Sequence, residues 1–236
     1  MSIAKNVNVS QDRPKKGLRT SALAALRKRG SRVANLWIFD SPKTGVRLKI
    51  AGDVPFMHVV LLEGDVDVAA YRFVGDPFNL EGQKTAPAFP GHVLLTHRDG
   101  ACEWGLFARS QQTHKSATGS PRADALAKAA AAAGATFRVR TELDLRGQEV
   151  RFDNWLTLCA IINRTRGHSC HREASILSQY LRGGTTCNVG ELISVAGVDP
   201  ALMLAVVAKA LQNGRISTNL SNRLFDCKSV LTGAQP

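Results

Sequence analysis

At 236 residues, 44% of them hydrophobic, the chain is long and apolar enough to bury a core as one large domain or two smaller ones. No apolar run approaches the roughly 20 residues of a membrane span, and no apolar segment follows the N-terminal charges as it would in a signal peptide. The net charge of +12 is unevenly placed: residues 1–50 carry 12 Lys/Arg against Asp12 and Asp40 (+10), which leaves 19 Lys/Arg against 17 Asp/Glu (+2) for the rest. A basic arm on a nearly neutral body points to a polyanion whose condensed counterions the arm would release. The arm lacks a lipidation signal and an aromatic-anchored amphipathic stripe, so a membrane surface is not the expected partner. A solvated tail that only aids solubility is the alternative. The five cysteines (Cys102, Cys159, Cys170, Cys187, Cys227) are odd in number and scattered, unlike a secreted disulfide framework, and a cytoplasmic location is expected.

In chain order, residues 1–32 form the polar, Gly- and Pro-punctuated arm, with a short helix predicted over Ser21–Arg29. A strand or buried linker is predicted for Val33–Phe39, a turn at Ser41-Pro42-Lys43, and a strand for Val46–Ile50, where apolar and basic residues alternate. A helix follows with Asp53 as its cap and Pro55 in its first turn. Its run Phe56–Leu62 is apolar nearly all round, which implies burial, and Gly64 ends it. Strands are predicted at Val68–Phe73 and Phe78–Leu80, then a hairpin of His92–Thr96 and Cys102–Phe107 about the turn Arg98-Asp99-Gly100. Ala123–Ala133 predicts a helix stopped by Gly134, Phe137–Thr141 a strand and Phe152–Ile162 an amphipathic helix. Strands alternating with helices argue an α/β domain. Three further helices are predicted at Glu173–Leu181, Val189–Val195 and Pro200–Gln212, the last capped by Asp199, and then two short strands at Arg215–Leu220 and Arg223–Phe225. Three helices closed by a β-hairpin give a winged helix-turn-helix arrangement.

Several motifs carry a family resemblance: Ser41-Pro42-Lys43-Thr44-Gly45, a helix ending Leu62-Glu63-x-Asp65-x-Asp67-Val68, Pro87-Ala88-Phe89 before a hairpin, Thr141-Glu142-x-Asp144-Leu145-Arg146, and Asn213-Gly214-Arg215-Ile216-x-x-Asn219-Leu220. Together they resemble the TnsA family, the endonuclease subunit of heteromeric DNA transposases. The resemblance implies an α/β fold in which a restriction-endonuclease-like mixed sheet (residues 33–166) is flanked by helices and followed by a winged helix-turn-helix domain (167–236). It also implies double-stranded DNA as ligand and a transposase or another element-encoded protein as partner.

The family's metal-dependent chemistry needs carboxylates to hold Mg²⁺ and a lysine to stabilise charge. Carried over position by position, its helix glutamate falls on Ala51 or Pro55, its Pro-Asp aspartate on Ala88, and its Glu-x-Lys motif on Phe107 and Arg109. Methyl, pyrrolidine and phenyl groups cannot ligate magnesium and arginine repels it, so the expectation is a vacated site with no metal cofactor. Asp53 and Glu103 are the candidate displaced Mg²⁺ ligands if cutting survives. Glu63, Asp65 and Asp67 read as turn and capping residues. The group Cys159, His168, Cys170, His171 and Cys187 is too irregularly spaced for structural zinc. DNA contacts are expected from the arm (Lys15, Lys16, Arg19, Arg27, Lys28, Arg29, Arg32), from Arg109 and from Lys209, Arg215 and Arg223 near the wing. Pro200–Gln212 offers almost nothing to base edges, which favours docking or packing over base readout; a scaffold that recruits a partner through this helix is the remaining alternative.

Overall fold

The computed structural model describes residues 35–74, 92–108, 121–181 and 186–233. Strand β1 (Leu36–Asp40) pairs antiparallel with β2 (Arg47–Ala51), Asp40 lying opposite Arg47. The turn between them needs Gly45 in the left-handed region at φ +73°, and the Ser41 carbonyl accepts from the Gly45 N–H at 2.9 Å. Alternation on β2 is as the sequence predicts, with Ile50 fully buried and Arg47 and Lys49 facing out.

Helix α1 (Asp53–Glu63) starts one residue differently from the expectation. Gly52, at φ +97°, takes the cap position, and Asp53 makes no capping bond. Its carboxylate accepts instead from Asn35 Nδ2 (2.8 Å) and Trp37 Nε1 (3.0 Å), which ties β1 to the helix start. Seven of its residues from Phe56 to Glu63 are buried, as a helix without a polar stripe requires. Phe56 stacks on Trp37 at 4.3 Å and meets Phe152 edge-on at 6.1 Å.

Strands β3 (Val68–Val74), β4 (His92–His97) and β5 (Cys102–Phe107) form an antiparallel meander, and β6 (Thr136–Arg140) joins parallel to β5 after helix α2 (Pro121–Ala132). The sheet order is β3-β4-β5-β6, a mixed sheet flanked by helices. The hairpin turn uses Gly100 at φ +87°, with Asp99 Oδ1 accepting from Ala101 N. The predicted strand Phe78–Leu80 lies outside the described residues. A 3₁₀ turn (Glu142–Leu145), closed by a reciprocal Thr141–Asp144 capping box, leads into α3 (Glu149–Arg164).

The C-terminal part comprises α4 (His171–Tyr180), β7 (Thr186–Asn188), α5 (Val189–Ile193), α6 (Pro200–Gln212), β8 (Ile216–Ser217) and β9 (Val230–Gly233), with a small antiparallel sheet ordered β7-β9-β8. Asp199 caps α6 through the N–H groups of Ala201 (2.8 Å) and Leu202 (3.1 Å) with Pro200 in its first turn, as expected. The two predicted closing strands are corrected. The first shortens to β8, Arg223–Phe225 forms no strand, and the returning strand is β9. The cause is Asn154 of α3: its Nδ2 donates to the carbonyls of Leu220 and Arg223, and its Oδ1 accepts from Phe225 N, all at 2.8 Å. A side-chain amide thus takes the backbone groups that a neighbouring strand would need. One contiguous core runs from Ile50, Phe56 and Leu95 through Phe152 and Leu158 of α3 to Met203, Val206 and Leu211 of α6.

Candidate functional site

Three of the five positions onto which the family's site residues were carried are described. Ala51 ends β2, Pro55 occupies the first turn of α1, and Phe107 ends β5. Ala88 and Arg109 lie outside the described residues. Pro55 costs α1 no hydrogen bond, because the first N–H groups of a helix have no internal partner. His58 is one turn further along the same helix face. It stacks on Phe107 (ring centroids 5.3 Å apart), which meets Phe73 at 6.4 Å, and Phe73 meets Tyr71 edge-on at 6.3 Å. The ground between α1 and β5 is therefore filled by rings.

His58 is held neutral here. Burial pulls its pKa down to about 4 from 6.5, against a hydrogen bond that its Nε2 donates to the Thr141 carbonyl at 2.9 Å. Since the folded pKa lies below the unfolded one, the unfolded chain takes the proton first on acidification. The stabilisation is complete above pH 6.5 and is lost as pH falls from 6.5 to 4, amounting to about 3 kcal/mol at most. His58→Phe keeps the ring stack, so its urea-unfolding free energy is expected to be lower than the parent's at pH 7 but flatter across that window. Parallel pH profiles would contradict the assignment.

The two candidate displaced ligands have separate partners. Asp53 is held by Asn35 and Trp37. Glu103, nearly buried on β5, is ion-paired to Arg140, with His97 Nε2 at 3.7 Å from its other oxygen. Among the described residues no three His, Cys, Asp or Glu side chains converge as metal ligands. Cys159 is buried in α3, where burial raises its thiol pKa well above normal, and Cys187 is buried on β7.

Several of the residues that do converge are ones the sequence flagged only as turn residues. Glu63, at the end of α1, is fully buried, and its carboxylate accepts from four donors. Oε1 takes Ser41 Oγ and Tyr71 Oη (2.6 Å), while Oε2 takes Lys43 N (2.9 Å) and Gln212 Nε2 (2.9 Å). This corrects the reading of Glu63 as a turn residue, whereas Asp65, which accepts from Asp67 N, and Asp67 itself sit in the turn before β3 as expected. Beside it, Lys43 Nζ donates to the carbonyls of Leu62 (2.8 Å), Asp65 (2.6 Å) and Val68 (2.7 Å). Burial lowers the Lys43 pKa to about 8 despite the opposing pull of Glu63 and Asp65, and burial followed by Glu63 raises that of Tyr71. The Ser-Pro-Lys-Thr-Gly turn is thus a clamp on the end of α1, and Gln212 binds α6 into it. A serine and a lysine flanking a proline about 20 residues before a helix-terminal glutamate was the available signal.

No protein-family model and no curated protein matches the chain. Among the described residues, no helix is long and apolar enough to cross a membrane.

The predicted cationic contacts divide into three groups. The arm residues Lys15, Lys16, Arg19, Arg27, Lys28, Arg29 and Arg32, like Arg109, lie outside the described residues. Arg215 and Arg223 are exposed around β8, Arg223 standing 3.8 Å from Asp226. Lys209 projects from α6 into a cleft of about 250 Å³ shared with Pro42, Lys43, Val68, Arg98 and Asn213. The apolar residues of α6, from Met203 to Leu211, are buried within this chain, chiefly against α3 and α4.

Proposed function

We propose that the chain is a DNA-binding protein on a TnsA-like scaffold whose cutting chemistry has been lost, acting as an accessory or regulatory component of a mobile genetic element. The observation that carries this reading is the chemistry at the carried-over positions. On the family comparison the oxygen ligands of divalent cations would fall on Ala51, Pro55 and Phe107, and the rings of His58 and Phe73 pack against Phe107 beside them. The order helix, three-strand meander, helix, parallel fourth strand supports a restriction-endonuclease-like core for α1 to β6. The order α4-β7-α5-α6-β8-β9, with β9 between β7 and β8, supports a winged helix.

Function then moves from chemistry to binding. The helix that a winged helix would offer to the major groove is turned inward here, so base readout by α6 is not part of this account. Affinity comes from the basic arm and from phosphate contacts on the body, with Arg109 touching a phosphate where the family has its lysine. The test is incubation of the purified full chain with supercoiled plasmid and Mg²⁺ or Mn²⁺. The expected result is a shifted plasmid with no nicking. Nicking abolished by Glu103→Ala would establish the displaced-ligand nuclease instead.

A further inference from the structure

The cleft between the Ser41–Gly45 turn and the end of α6 is lined by three cations, Lys43, Arg98 and Lys209, together with Gln212 and Asn213. Among the described residues, no carboxylate lines it. Glu63 lies beneath, fully buried, with its four hydrogen bonds made. Lys43 uses its three N–H groups on backbone carbonyls, so it contributes field and no direct bond. Arg98 is anchored through Nε to the Val66 carbonyl, which leaves the outer guanidinium nitrogens available in the cleft. Lys209 lies in the last turn of α6, where it also offsets the negative end of that helix. Lys43 is already offset by Glu63 and Asp65, whereas Arg98 and Lys209 face each other across the opening and repel unless an anion joins them. At about 250 Å³, the opening is below the usual range of cofactor pockets and suits a single phosphate group.

We propose that this cleft, at the seam between the α1–β3 region and α6, is a phosphate-binding site that grips one backbone phosphate of DNA through Arg98 and Lys209. The assignment rests on the DNA-binding reading above and adds a contact on the body of the protein. A phosphate held at a seam that Gln212 closes onto Glu63 also sets the register of the duplex against both halves of the chain.

The test is DNA affinity against salt for the full chain, for Lys209→Gln, for Arg98→Gln/Lys209→Gln, and for a control losing two exposed charges elsewhere, Lys128→Gln/Arg146→Gln. Each log K against log salt slope is expected to be shallower by about 1 in the cleft variants, with affinity reduced several-fold on every sequence, and less altered in the control. Equal changes in the control, or none in the cleft variants, overturn the site. A parent chain with no salt-dependent DNA binding overturns the underlying reading instead. Inorganic phosphate in a thermal melt separates the source of the anion: if it raises the Tm of the parent and not of the double variant while the DNA slopes are unchanged, the DNA assignment is overturned. The single Lys209 variant, made on a half-buried side chain, keeps the test valid if the double variant folds poorly.

Discussion

Glu63→Ala is expected to cost about 3–5 kcal/mol of unfolding free energy, because it strands buried donors that have no water to turn to. Those donors are Ser41 Oγ, Tyr71 Oη, Lys43 N and Gln212 Nε2. The same change leaves the nearby Lys43 ammonium without its main attractive charge in a site whose burial already disfavours it. Gln212→Ala removes one of the four bonds and should cost less, about 1–2 kcal/mol. Denaturant unfolding of the two single variants and the double would measure this, with strong non-additivity expected for partners in contact. A Glu63→Ala cost below about 1 kcal/mol would mean that the carboxylate does not hold α1, the Ser41–Gly45 turn and α6 together.

Gly64→Ala, one residue further on, should be as damaging for an unrelated reason. Gly64 sits at φ −94°, a conformation open to any residue, so no left-handed turn requires glycine there. The requirement is space: a Cβ at Gly64 would stand 2.0 Å from the indole of Trp155, itself 2% exposed and wedged between α1 and α3. The ring cannot withdraw without displacing the core around it, and the expected cost is about 3 kcal/mol or more. Gly134→Ala is the contrast. There φ is +67° with nothing within 4 Å of the added methyl, so the penalty is the backbone strain of about 1–2 kcal/mol alone. Equal, small losses at the two glycines would remove the packing account of Gly64.

Local signals in the sequence led to the elements they should. Asp199-Pro200 set the start of α6, the apolar–basic alternation gave β2, and Arg98-Asp99-Gly100 gave the hairpin, since each depends on residues adjacent in the chain. What stayed hidden depends on distant partners. The Glu63 centre joins positions 41, 43, 71 and 212, and its bond to Gln212 spans 149 residues. The closing strands after α6 were misread for the same reason, because Asn154 takes the backbone groups of residues 69 and 71 positions away. Strand β7 is three residues long and pairs with β9, so its own sequence carries too little pattern to announce it. The family comparison placed Ala51, Pro55 and Phe107 one at a time. That His58 and the Phe73–Phe107 pair fill the ground beside them required the fold.

On the DNA-binding reading proposed above, the protein's work rests on charge: residues 1–50 hold a surplus of ten positive charges, eight of them within residues 1–32. The central claim is that this surplus, and not chemistry, defines the protein's work. Binding of duplex DNA by the full chain and by a chain lacking residues 1–32, each titrated with salt, tests it most directly. The account predicts a steep slope for the full chain and, without the arm, a slope shallower by about 0.9 for each phosphate no longer neutralised, with affinity down at least about tenfold. An affinity and slope unchanged by removing the arm would contradict it.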